Sequence, residues 1–156
     1  MIKIIKAEEQ HVEAIGQLWW EFIQFHADID PVFAPVDDGI PGFIEHHLRK
    51  FMTSEDGLVL VAVDGETAIG YTIADIHRNS PGLKRKPHGC VYDIAVTASC
   101  RRQGIGKKLF AEVVKWFESK DISRYEINTT AQNETANSFW QKQGFKVYMY
   151  ALYKEG

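Results

Sequence analysis

At 156 residues the chain is long enough to bury a real hydrophobic core as one domain spanning 1–156. It is 45% hydrophobic and 25% charged with a net charge of -3, which argues against a general nucleic-acid binder, and no apolar run approaches the roughly 18–20 residues of a membrane span. The first residues lack the apolar core and cleavage site of a signal peptide, and Cys90 and Cys100 have no metal-ligand spacing, so the expectation is a cytoplasmic protein with reduced thiols and neither a membrane nor a nucleic-acid partner.

Residues 2–6 read as a short strand. Val12, Ile15, Leu18, Trp19, Phe22 and Phe25 then recur at helical spacing and build one apolar face. Asp30-Pro31 ends that pattern, because proline disfavours helix in the residue before it. The proline- and glycine-rich stretch from Pro31 to Gly42 reads as a loop, and a second helix is expected from Pro41 to Met52, with Ile44, Leu48 and Phe51 inward. Leu58–Val63 and Thr67–Ile76 are strand-like runs flanking Asp64-Gly65, a hairpin signal because the tight turn wants positive φ. Gly70 marks a candidate bulge.

Asn79 to Gly89 is a polar, basic loop, and Val91–Val96 is a buried strand. Gly104 to Lys120 is a helix with Ile105, Leu109, Val113 and Phe117 on one face. Arg124–Thr130 is a strand, Asn133–Gln143 is a helix stopped by Gly144, and Phe145–Tyr153 is expected to close the chain as a last strand. Hairpins in the first half and strand–helix alternation in the second predict an α/β layer with a mixed sheet.

The sharpest chemical feature is Arg101-Arg102-Gln103-Gly104-Ile105-Gly106 between a strand and a helix. Glycines allow close approach of the backbone to an anion. The first helical turn offers unpaired N–H groups, and the helix dipole adds about half a positive charge there. Lys107 and Lys108 add mobile charge, so a pyrophosphate suits the site. A plain glycine-softened turn with solvated lysines is the alternative reading of the loop alone. The Rossmann fingerprint fails because Leu109 stands where its third glycine belongs, and no Gly-Lys-Ser/Thr supports a Walker loop.

Arg101-x-x-Gly104-x-Gly106 after Asp93-Ile94-Ala95-Val96 resembles the acetyl-CoA signature of the GNAT N-acetyltransferase superfamily. Asn133-x-x-Ala136-x-x-Phe139-Trp140-x-x-x-Gly144-Phe145 resembles its C-terminal motif. The likeness is close over 91–146 and general over 1–80. It implies a mostly antiparallel, twisted sheet, splayed in the middle and flanked by about four helices, with acetyl-CoA as cosubstrate. The backbone of Ile94, Ala95 and Val96 would pair with the pantetheine arm. N–H groups from Arg102 through Gln103, Gly104, Ile105 and Gly106 to Lys107 would hold the pyrophosphate, with Arg101 beside them. Asn133 would contact the cofactor near the pantetheine, and the helix reaching Trp140 would lie beside the thioester. Homodimers are common in the family.

The implied reaction is attack by a primary amine on the thioester. An amine with a pKa of about 10 must first lose a proton. Asp93, in the cofactor strand, is the candidate base; a hydrogen-bonded acid at a sheet splay is the equal alternative. The resemblance assigns the oxyanion to a backbone N–H of the 94–96 strand. The family commonly has tyrosine as general acid where this chain has Trp140, whose indole cannot supply a proton near neutral pH. Tyr148 and Tyr150 are more simply strand residues. A covalent role for Cys90 or Cys100 has no supporting histidine.

Glu21, Asp28, Asp30 and Asp75 could hold a cationic acceptor, although solvated acids are the simpler reading of each. The histidines are scattered, and adjacent His46-His47 on a helix point two ways, so no metal is expected. The expected function is acetyl transfer to a primary amine of a small molecule or peptide. The alternatives are a non-catalytic acyl-CoA-binding sensor and an unrelated phosphate-binding α/β domain.

Overall fold

The structure, a computed structural model, describes residues 1–156. Strand β1 (Ile2–Lys6) leads into helix α1 (Val12–Ile29), which runs up to Asp30-Pro31, where the sequence predicts its end. The Asp30 side chain accepts the Val32 N–H and caps a short 3-10 turn. The second helical arm is longer and less regular than the expected Pro41–Met52 helix. It comprises α2 (Gly39–Phe43), a π-turn (Ile44–Leu48) and α3 (Arg49–Thr53). Wider turns of this kind interrupt helices locally, and His47 lies within this one, between the rings of Phe43 and Phe51.

Strands β2 (Gly57–Asp64) and β3 (Thr67–His77) form the predicted hairpin, with Gly65 at φ 60 in the turn. Their register shifts between Ala62 and Val63, so Ile69 is an extra residue beside Gly70. Strand β4 (His88–Val96) pairs antiparallel with β3. Helix α4 (Ile105–Ser119), strand β5 (Tyr125–Ile127) and helix α5 (Glu134–Lys142) follow. The sheet order is β1-β2-β3-β4-β5, antiparallel throughout except for the parallel β4–β5 pair.

Two cores lie on opposite faces of the sheet. On one face Val59, Val61, Val63, Tyr71, Ile73 and Ala95 pack against α1 and the α2–α3 arm through Ile15, Leu18, Phe43 and Leu48. On the other, Leu58, Leu60, Ala62, Ala74 and Val91 meet Ile105, Leu109, Val113 and Phe117 of α4. The strict alternation along β2 is the period-two signature of a strand covered on both sides. Helix α5 joins the second core through Phe139 and Trp140.

The expected last strand does not form. Residues 145–156 make no ladder, and Val147, Tyr150, Leu152 and Tyr153 are exposed. Strand propensity reports readiness to be paired, and pairing needs an available edge. Tyr148 instead lays its ring by Arg124 and donates its hydroxyl to Glu126 at 2.5 Å.

Gly89 shows how tightly β4 seats on α4. A Cβ there would lie 2.3 Å from the Phe117 ring, inside a packed core. Gly89→Ala is expected to cost about 1–3 kcal/mol, the usual penalty for overpacking. Chemical denaturation measures this; an unchanged midpoint would mean that Phe117 moves freely aside.

Candidate active site

Strand β4 has a neighbour on its β5 side only at its beginning, where Gly89, Cys90 and Val91 pair with Tyr125, Glu126 and Ile127. β5 then ends, and Ile94, Ala95 and Val96 have no strand beside them on that edge. This is the splay expected between the two strands, and it leaves backbone donors and acceptors for an extended ligand. A second irregularity sits in the same strand. Ile73 faces Asp93 while Ala74 faces Val91, so Tyr92 is a bulged residue. The bulge directs Tyr92 towards Phe51 and His47 and sets Asp93 against Tyr71.

Past Val96 the chain makes a 3-10 turn and then the glycine loop. Arg102 and Gly104 both have positive φ, at 62 and 77. The N–H groups of Arg102, Gln103 and Gly104 have no backbone partner, and those of Ile105, Gly106 and Lys107 open α4, where none exists within a helix. Gly106 keeps the opening turn close to its neighbours, since a Cβ there would sit 3.6 Å from Ile94 and 3.8 Å from Phe139. Arg102, Lys107 and Lys108 are exposed around this nest. Together these are the elements of an anion site.

Arg101 is placed differently from its loop neighbours. Its Nε donates to the Val96 carbonyl at 2.9 Å, its guanidinium lies 3.3 Å from Glu21, and it covers the Phe25 ring. Glu21 also accepts the Thr97 hydroxyl at 2.9 Å and the Ala98 N–H at 2.7 Å. Glu21 thus ties α1 to the start of the loop, a role that sequence reasoning missed because the two segments lie 76 to 80 residues apart.

Asp93 accepts a 2.9 Å hydrogen bond from Tyr71, whose ring is fully buried. Burial raises the Asp93 carboxyl above its ordinary value; the Tyr71 hydrogen bond and the nearby His47 and His26 oppose this without cancelling it. Burial likewise raises Tyr71 well above its usual range, with Asp93 adding to the shift. Tyr71 stays protonated and the pair shares one proton donor. Neither Tyr71 nor His47 stands out in the sequence. The register of β3 against β4 brings Tyr71 to Asp93, and His47 comes from the π-turn of the helical arm.

Asn133 is buried and uses its Oδ1 to cap α5 through the Ala136 N–H at 3.1 Å. Trp140 stands edge-on to Phe110 and Phe145, fastening α5 to α4. Asp28 and Asp30 lie at the end of α1, away from Asp93 in sequence and on no shared bond with it. Asp75 lies elsewhere on the same sheet and accepts from Tyr92 at 3.1 Å. A separate basic cavity of about 380 Å³ is lined by Lys84, Arg85, Lys86 and Arg124. It lies at the beginning of β4, the opposite end of the strand from the glycine loop.

A sequence profile of the Acetyltransferase (GNAT) family matches residues 13–145, and the chain belongs to that family. It is 28% identical over 117 residues to aminoglycoside N(6')-acetyltransferase type 1 of Salmonella typhimurium, covering 74% of each protein. It is 28% identical over 112 residues to N-alpha-acetyltransferase 30 of Schizosaccharomyces pombe, covering 69% of this chain and 71% of the other. A solved structure of aminoglycoside N-acetyltransferase AAC(6')-Iy in complex with CoA superposes with a TM-score of 0.75. That match covers 100% of this chain and 95% of the other at 20% identity, a likeness of fold. No helix is long and apolar enough to cross a membrane.

The glycine loop is open to test through its backbone. No atom lies within 4 Å of a Cβ placed on Gly104, so substitution leaves the packing intact and acts through φ and through whatever binds there. Gly104→Val is expected to weaken CoA binding by about 100-fold or more, since a β-branched residue resists positive φ and blocks approach to the N–H groups. Calorimetry reads the affinity and circular dichroism the fold. Unaltered affinity in a folded variant would remove the loop from the site.

Proposed function

We propose that the protein transfers an acetyl group from acetyl-CoA to a primary amine of a small molecule or peptide. The observation that carries this is the unpartnered edge of Ile94, Ala95 and Val96 leading into the unpaired N–H groups of Arg102 to Lys107. An extended arm that ends in a pyrophosphate matches that sequence of groups. Membership of an acetyltransferase family supports it, as does a structural neighbour with CoA bound. The named acceptors of the two similar enzymes, an aminoglycoside amine and a protein N-terminal amine, support an amine acceptor of either size.

In this reading the amine nitrogen attacks the thioester carbon, the tetrahedral intermediate collapses, and the carbon–sulfur bond breaks. Backbone N–H groups of the 94–96 strand stabilise the developing oxyanion. Asp93 takes the ammonium proton through water. Its raised pKa suits that role, because a base works best when its pKa approaches the working pH. Trp140 supplies no proton. The CoA thiolate, with a pKa of about 8.5, leaves without an acid. The fixed aromatic contacts of Trp140 support a packing role over a chemical one. Asn133 orders the start of α5 next to the arm.

Thiol release from acetyl-CoA, followed with a panel of aminoglycosides, polyamines, amino acids and peptides with free N-termini, tests the reading. Turnover dependent on one amine class supports it; tight CoA binding with no turnover on any amine would support the sensor alternative. Asn at position 93 keeps an acceptor for the Tyr71 hydroxyl and abolishes the charge. Asp93→Asn is therefore expected to fold and to lose activity by about 100-fold or more. In the native enzyme the base is competent above its raised pKa, so activity falls as pH drops through that value; the variant loses this acid limb. An unchanged rate and pH profile would remove Asp93 from the chemistry. Trp140→Phe is expected to keep activity within about 10-fold, because the packing is largely retained. A loss of several orders of magnitude in a folded variant would restore a direct role for the indole.

A further inference from the structure

Four side chains that the transfer chemistry leaves unused sit together at the far end of the β3–β4 ladder. In the register of these strands His77 faces His88 and Asp75 faces Cys90. Because residues two apart share a face of a strand, the four form a compact block on one side of the sheet. The donor atoms of His77, His88 and Cys90 all lie within 4.8 Å of one another, and the two imidazoles are 5.2 Å apart. The block borders a cavity of about 160 Å³ that is also lined by Tyr92 and Glu126.

His88 is an unusual residue to bury without a purpose. It is 6% exposed, and its Nδ1 is sealed from solvent with no hydrogen-bond partner. A buried polar nitrogen left without a partner is costly. The other ring nitrogen, Nε2, receives Arg85 at 3.2 Å and has the Glu126 carboxylate 3.6 Å away. Desolvation lowers the His88 pKa, and the Lys86 backbone, which lies by the ring, favours its protonated form against this. On the partner strand, His77 Nε2 is gathered by Asp75 at 3.1 Å and Tyr92 at 2.8 Å.

We propose that His77, His88 and Cys90 bind a divalent transition metal of the zinc class, with Asp75 as fourth ligand. Two imidazoles, a thiol and a carboxylate are a donor set that such ions favour. Metal–ligand bonds of about 2.0–2.3 Å place neighbouring donors of a tetrahedron roughly 3.4–3.7 Å apart. The Asp75–His77 separation of 3.1 Å is close to such an edge, and the His77, His88 and Cys90 donors, within 4.8 Å of one another, must draw together by about 1 Å to share an ion. Glu126 stands 3.6 Å from His88 Nε2, outside hydrogen-bond distance, and adds negative charge beside the site.

Cys90 is a half-buried free thiol opposite Asp75. Coordination forms the metal–sulfur bond and releases the thiol proton to solvent. The ion would clamp the two strands that carry the loop between His77 and His88, well away from the glycine loop. This proposal stands whatever the acetyl acceptor is.

Cobalt titration of the full chain, without CoA, is the test. A thiolate-to-cobalt charge-transfer band that saturates stoichiometrically and is displaced by zinc is expected. Cys90→Ser should abolish the band, Cys100→Ser should leave it, and His77→Ala should weaken zinc binding about 10-fold or more. His77 is nearly half exposed, so that variant is expected to keep the fold, which circular dichroism checks. No band in the folded wild-type chain, or a band that survives Cys90→Ser, would overturn the proposal.

Discussion

Strand β4 keeps a strand on its β5 side for only three residues, from Gly89 to Val91, and then runs on with that edge open. Backbone N–H and C=O groups left without partners in a protein interior are costly, so the edge demands either solvent or a ligand. Everything near the site is organised around this gap. The hairpin and β1 hold β4 from one side, and α4 packs under it through Ile105 and Leu109. The chain leaving β4 then turns at positive φ and starts α4, whose first turn at Gly106 lies against Ile94 of the open strand. An open edge followed by an open helix start is a geometry that accepts a long, flexible arm with an anionic end.

Holding that geometry in place takes contacts from remote parts of the chain. Glu21 of α1 reaches Thr97, Ala98 and Arg101, so the helix packed on one face of the sheet positions the loop that feeds the helix on the other face. Arg101, bound to Glu21 and to the Val96 carbonyl, acts as a brace. The mobile positive charge is left to Arg102, Lys107 and Lys108. The buried Tyr71 plays a similar part for Asp93, fixing the carboxylate while burial raises its pKa. The desolvation that makes the charge expensive is what raises the carboxyl's pKa.

Local patterns were legible in the sequence and cross-strand register was not. The periodicity of Val12 to Phe25 and of Ile105 to Phe117, the Asp64-Gly65 turn and the Arg101–Gly106 loop all depend on residues close in sequence, and each corresponds to an element in the structure. The expected last strand is absent, because the unbroken apolar and aromatic run from Val147 to Tyr153 encodes a preference that only a partner strand can satisfy. The Tyr71–Asp93 pair, the Glu21 brace and the block of Asp75, His77, His88 and Cys90 all arise from how distant segments are aligned. The bulge at Tyr92 decides part of that alignment, and no local signal predicts it.

Two parts of the molecule present positive charge: the glycine loop at the end of β4 and the Lys84–Arg85–Lys86–Arg124 cavity at its beginning. They offer CoA different things, since only the first adjoins an open strand edge. The most direct measurement is therefore a titration of the isotope-labelled protein with CoA, followed by backbone amide chemical shifts. The account predicts the largest changes at Ile94–Val96 and Arg102–Lys107, with little change at Lys84–Lys86 and Arg124. Shifts centred on the second group, with the loop amides unmoved, would contradict it.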